Sequence, residues 1–158
     1  RQAIPLLRTL AQRFPENYLL RFEQVEMYSD AGDKANALKV LGEVDALREA
    51  GAPGYAQIKP AKILYLRGNL QFWYGDLPQA EANLKSALAR NDELEMGTKT
   101  LAWLRLGQVY DLQKRHTEAA GAYREVLKLA PESDLASEAK GYLSNPYRRK
   151  KTSQETAA

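Results

Sequence analysis

Residues suited to catalysis are few here, and their spacing does not favour it. His116 is the only histidine among 158 residues, and the chain has no cysteine. Disulfides, thiolate metal sites and thiol nucleophiles are therefore absent. No carboxylate or serine stands in evident partnership with His116, which reads as a structural or exposed turn residue rather than a base. The carboxylate pairs Glu23/Glu26 and Asp92/Glu93 have helical or turn spacing, better suited to solvated faces and helix starts than to acid–base work. No phosphate-cradling glycine loop or metal-ligand cluster appears. The residues predict no enzyme and no cofactor.

The elements that carry these residues show a period. An alanine followed four positions later by a bulky residue and seven later by a small or branched one recurs along the chain. The four instances are Ala3/Leu7/Leu10, Ala37/Leu41/Val44, Ala80/Leu84/Ala87 and Ala119/Tyr123/Val126. Positions i, i+4 and i+7 form one buried helix stripe, and an alanine at its head lets a neighbouring helix come close. Upstream of the last three lie NYLLRFEQVEMY (17–28), AKILYLRGNLQFWY (61–74) and KTLAWLRLGQVYDL (99–112), each helical in pattern. These stretches end at AGD (31–33), at Gly75-Asp76 and at KRH (114–116). Gly32 and Gly75 suit the position after a helix, and Asp33 and Asp76 suit the next N-cap. The pattern predicts helical hairpins with short turns and no sheet.

Trp103, Leu106-Gly107, Tyr110, Ala119, Tyr123, Val126 and Pro131 resemble the tetratricopeptide repeat, a helix-turn-helix unit stacked in series. Leu64, Gly68, Ala80, Leu84 and Ala87 match a second repeat, which departs at Arg67 and Gln71. Tyr28, Gly32, Ala37 and Leu41 match another, with Val25 where a small residue is usual. Ala3, Leu7, Leu10 and Pro15 match only the second half of a repeat. The resemblance implies an all-α, right-handed superhelix of about eight helices, with Gly107 and Ala119 small so that paired helices can close. The expected organisation is a half-repeat at 1–16, repeats at 17–50, 58–92 and 95–131, a capping helix at 133–144 and a basic, disordered tail at 146–158. Two insertions stretch the period. EAGAPGYAQIK (49–59) reads as a loop before Pro60, and NDELEMGTK (91–99) as a backward extension of the next helix. The chain opens inside a repeat, which suggests a piece of a longer array whose first helix exposes Ile4, Leu7 and Leu10.

The resemblance also implies a groove lined by the first helix of each repeat. The corresponding positions are Leu19, Phe22, Glu23 and Glu26, then Lys62, Tyr65, Asn69, Phe72 and Trp73, then Leu101, Leu104, Arg105 and Gln108. Lys62, Tyr65, Asn69 and Trp73 are spaced as one helix stripe. Rings beside an amide and cations suit a protein or peptide segment, with Tyr65, Asn69, Trp73, Arg105 and Gln108 at least partly exposed. Packing of Phe72 and Trp73 against a neighbouring helix is the competing reading. One family subtype grips chaperone C-terminal carboxylates. Asn69 and Arg105 match its later positions, but Phe22, Glu26 and Leu101 replace its other cationic and amide groups, so that ligand is not expected.

Charge adds little to the body. Arg148, Arg149, Lys150 and Lys151 account for the net +3, opposed in the tail by Glu155 alone. The body is neutral and is not expected to bind nucleic acid, although a basic tail contacting nucleic acid or an anionic membrane is one alternative. Self-association through the open N-terminal half-repeat is another. No apolar run is long enough for a transmembrane segment.

Overall fold

Local chemistry sets where the helices start and stop. The computed structural model describes residues 3–90 and 93–149, and among these residues there are eight α-helices and no strand. They are α1 (Ala3–Arg13), α2 (Tyr18–Asp30), α3 (Lys34–Glu49), α4 (Pro60–Trp73), α5 (Leu77–Ala89), α6 (Met96–Leu112), α7 (His116–Leu129) and α8 (Asp134–Ser144). Asn17, Asp33 and Ser133 cap α2, α3 and α8, accepting the backbone N–H of Leu19, Asn36 and Ala136 at 3.2, 3.1 and 3.1 Å. Each such bond satisfies a donor that the helix itself leaves unpaired. The bonds from Asn36, side chain first, hold the Asp33 carboxyl below its usual range. Asp76 stands before α5 but makes no capping bond. Its carboxylate pairs instead with Lys34 at the start of α3, so the expected cap there is replaced by an ion pair between hairpins.

The helices gather into two compact units, residues 1–94 and residues 95–158. In the first, each helix packs on its neighbours in sequence, from α1 through α5. Ala37, Leu41 and Val44 are fully buried, joining Val25, Tyr28 and Ile63 in one core. In the second unit α6, α7 and α8 pack on one another. Here Gly107 backs onto the Tyr123 ring, and a Cβ at Gly107 would stand 2.4 Å from the nearest ring carbon. Only a hydrogen fits at this crossing, which accounts for the Gly107/Tyr123 pairing seen in the sequence.

The 49–59 insertion is more than a connector. Tyr55 and Ile58 are buried in the core of the first unit, although the sequence marks them only as loop residues. The Tyr55 hydroxyl donates to the Pro15 carbonyl at 2.7 Å. Gly54 has a φ of +83°, and a Cβ there would lie 2.0 Å from the Glu16 carbonyl oxygen. The loop therefore clamps the α1–α2 turn. The later insertion does lengthen a helix, since α6 begins at Met96. The Glu93 carboxylate accepts the Ala61 N–H at 3.2 Å, and this bond holds its pKa below the ordinary value. Asp92 lies outside the described residues.

Two expectations about the ends need correction. Leu7 is buried and Ile4 and Leu10 are half-buried, because α1 turns its Leu7/Ala11 side onto α2. Leu6 and Phe14 are exposed instead, at 61% and 52%. At the other end, structure persists past residue 146. The Tyr147 N–H donates to Asp111 at 2.9 Å, and its ring meets that of Tyr142 edge-on at 5.3 Å. The rest of the expected tail, from Lys150 onward, lies outside the described residues.

Candidate partner-binding surface

The nine groove residues divide between the units. Glu23, Glu26, Lys62, Tyr65, Asn69, Phe72 and Trp73 belong to the first, while Arg105 and Gln108 belong to the second.

In the first unit, α2 presents Glu23 and Glu26 to solvent. Leu19 is 57% exposed, and half-buried Phe22 stacks edge-on against Tyr18 at 5.4 Å. α4 is apolar on nearly every side and packs against both α3 and α5. A helix of that kind leaves only a strip uncovered. Tyr65, expected at the surface, is 6% exposed, and Phe72 is fully buried. Lys62 and Asn69 are half-buried, with the Lys62 ammonium 5.8 Å from the Tyr65 ring centroid. Trp73 is 49% exposed. Consecutive helical residues point about 100° apart, so Phe72 can enter the core while Trp73 leaves it. Their rings meet edge-on at 4.9 Å, and this contact supports one side of the indole.

In the second unit, Arg105 is half-buried and donates to the Gln108 side-chain oxygen at 2.7 Å. Gln108 is only 3% exposed, and its amide nitrogen makes a long contact, 3.5 Å, with the Tyr142 hydroxyl. Gln108 was expected to be accessible but is enclosed, because α8 lies against α6. Leu101 is half-buried and Leu104 is buried.

One polar centre was not anticipated. Asp111, 5% exposed, accepts the Tyr123 hydroxyl at 2.6 Å and the Tyr147 N–H at 2.9 Å. Its other carboxylate oxygen lies 2.8 Å from His116 Nδ1. His116 thus has the carboxylate partner that the sequence did not reveal, and it begins α7 rather than lying loose in a turn. Burial, followed by the bond to Asp111, pushes the Tyr123 phenol far above its ordinary pKa; burial also raises Tyr147. A neutral phenol held by a carboxylate already committed to other donors suits fastening rather than proton transfer. The only advance signal was the five-residue step from Asp111 to His116 across a turn.

Among the described residues no group of three or more His, Cys, Asp or Glu could hold a metal ion, and no helix is long and apolar enough to cross a membrane. Hairpins closed by a small residue against a bulky one define an α-helical repeat protein. The family model described as Tetratricopeptide repeat matches residues 62–134, from α4 to the first residue of α8, and over that span the chain is similar to this family. No curated protein and no solved structure matches it. Tetratricopeptide repeats generally mediate protein–protein interaction, and the family is typically non-enzymatic.

Proposed function

We propose that the chain is a protein-binding module or scaffold, with the uncovered strip of α4 as its docking surface. The observation that carries this reading is Trp73, a half-exposed indole supported by fully buried Phe72. An amphipathic ring held in place on a rigid helix costs little entropy to immobilise and offers a large contact area, which is why tryptophan is common among the residues that dominate binding. Lys62 and Asn69 supply a cation and an amide on the same helix. Glu23 and Glu26, exposed on α2, favour a segment with a basic end and an apolar anchor over an acidic tail. A peptide selected from a display library on the wild-type chain provides the test by titration calorimetry. Trp73→Ala should weaken its binding by about 2 kcal/mol or more while leaving the melting temperature nearly unchanged. Equal affinity for both proteins would refute the reading.

A second reading rests on Leu6 on α1 and Phe14 just after it, exposed at 61% and 52%. Large exposed apolar side chains of this kind suit association with another copy or another repeat. Sedimentation of the wild type beside a Leu6→Ser/Phe14→Ser variant tests it, and a monomer in both samples would exclude self-association.

A further inference from the structure

Asp111 and Tyr142 form a small platform in the second unit, and the helices hold both in place without help from what lies over them. One Asp111 carboxylate oxygen accepts the Tyr123 hydroxyl at 2.6 Å, and the other lies 2.8 Å from His116 Nδ1. The Tyr142 ring rests against the Tyr123 ring at 5.5 Å, and Tyr123 is 1% exposed. α6, α7 and α8 supply these four residues, none of which belongs to the α4 strip. Over the platform runs the segment that follows α8. Asn145 is extended, with φ of −133° and ψ of 107°, as a residue before proline prefers. Tyr147 donates its N–H at 2.9 Å to the Asp111 oxygen that Tyr123 also uses, and its ring meets Tyr142 edge-on at 5.3 Å. Asn145, Pro146, Arg148 and Arg149 are exposed, whereas Tyr147 is half-buried. An extended peptide is thus seated on a prebuilt surface by the backbone and ring of one residue.

We infer that the Asp111–Tyr142 platform binds an extended, tyrosine-bearing segment of a partner protein, and that residues 145–149 occupy it in cis. The seated residue defines the chemistry. A carboxylate calls for a donor, and an uncovered platform would leave Asp111 one donor short. The backbone N–H fixes the register of the segment, and the ring meeting Tyr142 selects an aromatic residue. Acidic residues beside that tyrosine would be opposed by Asp111, and in the cis segment the residues that follow it are Arg148 and Arg149. A ligand on so short a tether acts at about millimolar effective concentration, so a partner must compete for the platform instead of finding it open.

The test is a titration of the isotope-labelled full chain with N-acetyl-Ser-Asn-Pro-Tyr-Arg-Arg-amide, read by NMR at Asp111 and Tyr142. Tyr147→Pro removes both the N–H and the ring of the cis occupant, and Tyr147→Ala removes the ring alone. The probe should bind Tyr147→Pro at least tenfold more tightly than the wild type, with Tyr147→Ala between them. Should Tyr147→Pro melt too low to titrate, Tyr147→Ala carries the comparison. Probes with N-methylated tyrosine, or with alanine in its place, should each bind the variant at least tenfold more weakly. A tyrosine peptide selected by display on the variant should, at saturation, displace the cis segment from the wild type and move the Tyr147 signals to free-chain positions. A segment that stays seated would be a fixed part of the fold, and the inference would fall. Absence of shifts at Tyr142, or equal affinity for wild type and variants, would overturn it too. So would a wild type that dimerises by exchanging the segment, since the platform would then serve a second copy.

Discussion

Asp111 and Tyr123 show how much one buried pair can decide. The hydroxyl donates to a carboxylate that is itself 5% exposed, so removing it leaves a buried acceptor short of a partner. Tyr123→Phe should cost about 1–3 kcal/mol at neutral pH, measured by urea unfolding. The pH dependence follows from the raised pKa of the folded state. The unfolded phenol ionises near pH 10 while the folded one keeps its proton, so this contribution is complete below about pH 10 and is lost as pH rises. The wild type should therefore lose stability more steeply than Tyr123→Phe between about pH 9 and 11. An equal slope in the two proteins would mean that Tyr123 is not the group titrating. None of this centre was legible beforehand, because Asp111 reads as a polar residue near a helix end. Its donors lie five, twelve and thirty-six positions away, beyond any local period.

Among the elements, the three hairpin turns use one geometry with different residues. Gly32 and Gly75 take φ of +77° and +80°, and Lys114 takes +62°. A side chain in the left-handed region costs about 1–2 kcal/mol, partly offset by the greater freedom glycine has when unfolded. Lys114→Gly should thus raise stability by about 0.5–1 kcal/mol, seen as a higher melting temperature; a decrease would show that the Lys114 side chain holds the turn. Turns and stripes were readable because alanine heads and their apolar partners recur at helical spacing, with Gly32 and Gly75 at two of the three turns. The surface of α4 was not, since a helix that is apolar nearly all round has no marked face. Periodicity grouped Tyr65 with Trp73, whereas burial separates them. Tyr55 and Ile58 escaped notice for a related reason: a glycine- and proline-rich loop carries no period from which burial could be inferred.

For the molecule as a whole, the excess charge is gathered at one end. Residues 146–158 hold four basic side chains and one acidic, so removing them takes the net charge from +3 to zero. Ending the chain after Asn145 should also lower the melting temperature by several degrees, because Tyr147 leaves Asp111 and Tyr142. Ending it after Arg149 should leave the melting temperature unchanged. Equal melting curves for the two truncations would remove any structural role from Tyr147. The clamp between the 49–59 loop and the α1–α2 turn bears on how the chain is made. Tyr55 reaches back forty residues to Pro15, and Gly54 closes over Glu16. During vectorial synthesis, then, α1 and the turn behind it emerge well before the segment that fastens them. Until Tyr55 and Ile58 have left the ribosome, α1 and its turn stay open to proteases, and once both have emerged the clamp protects them.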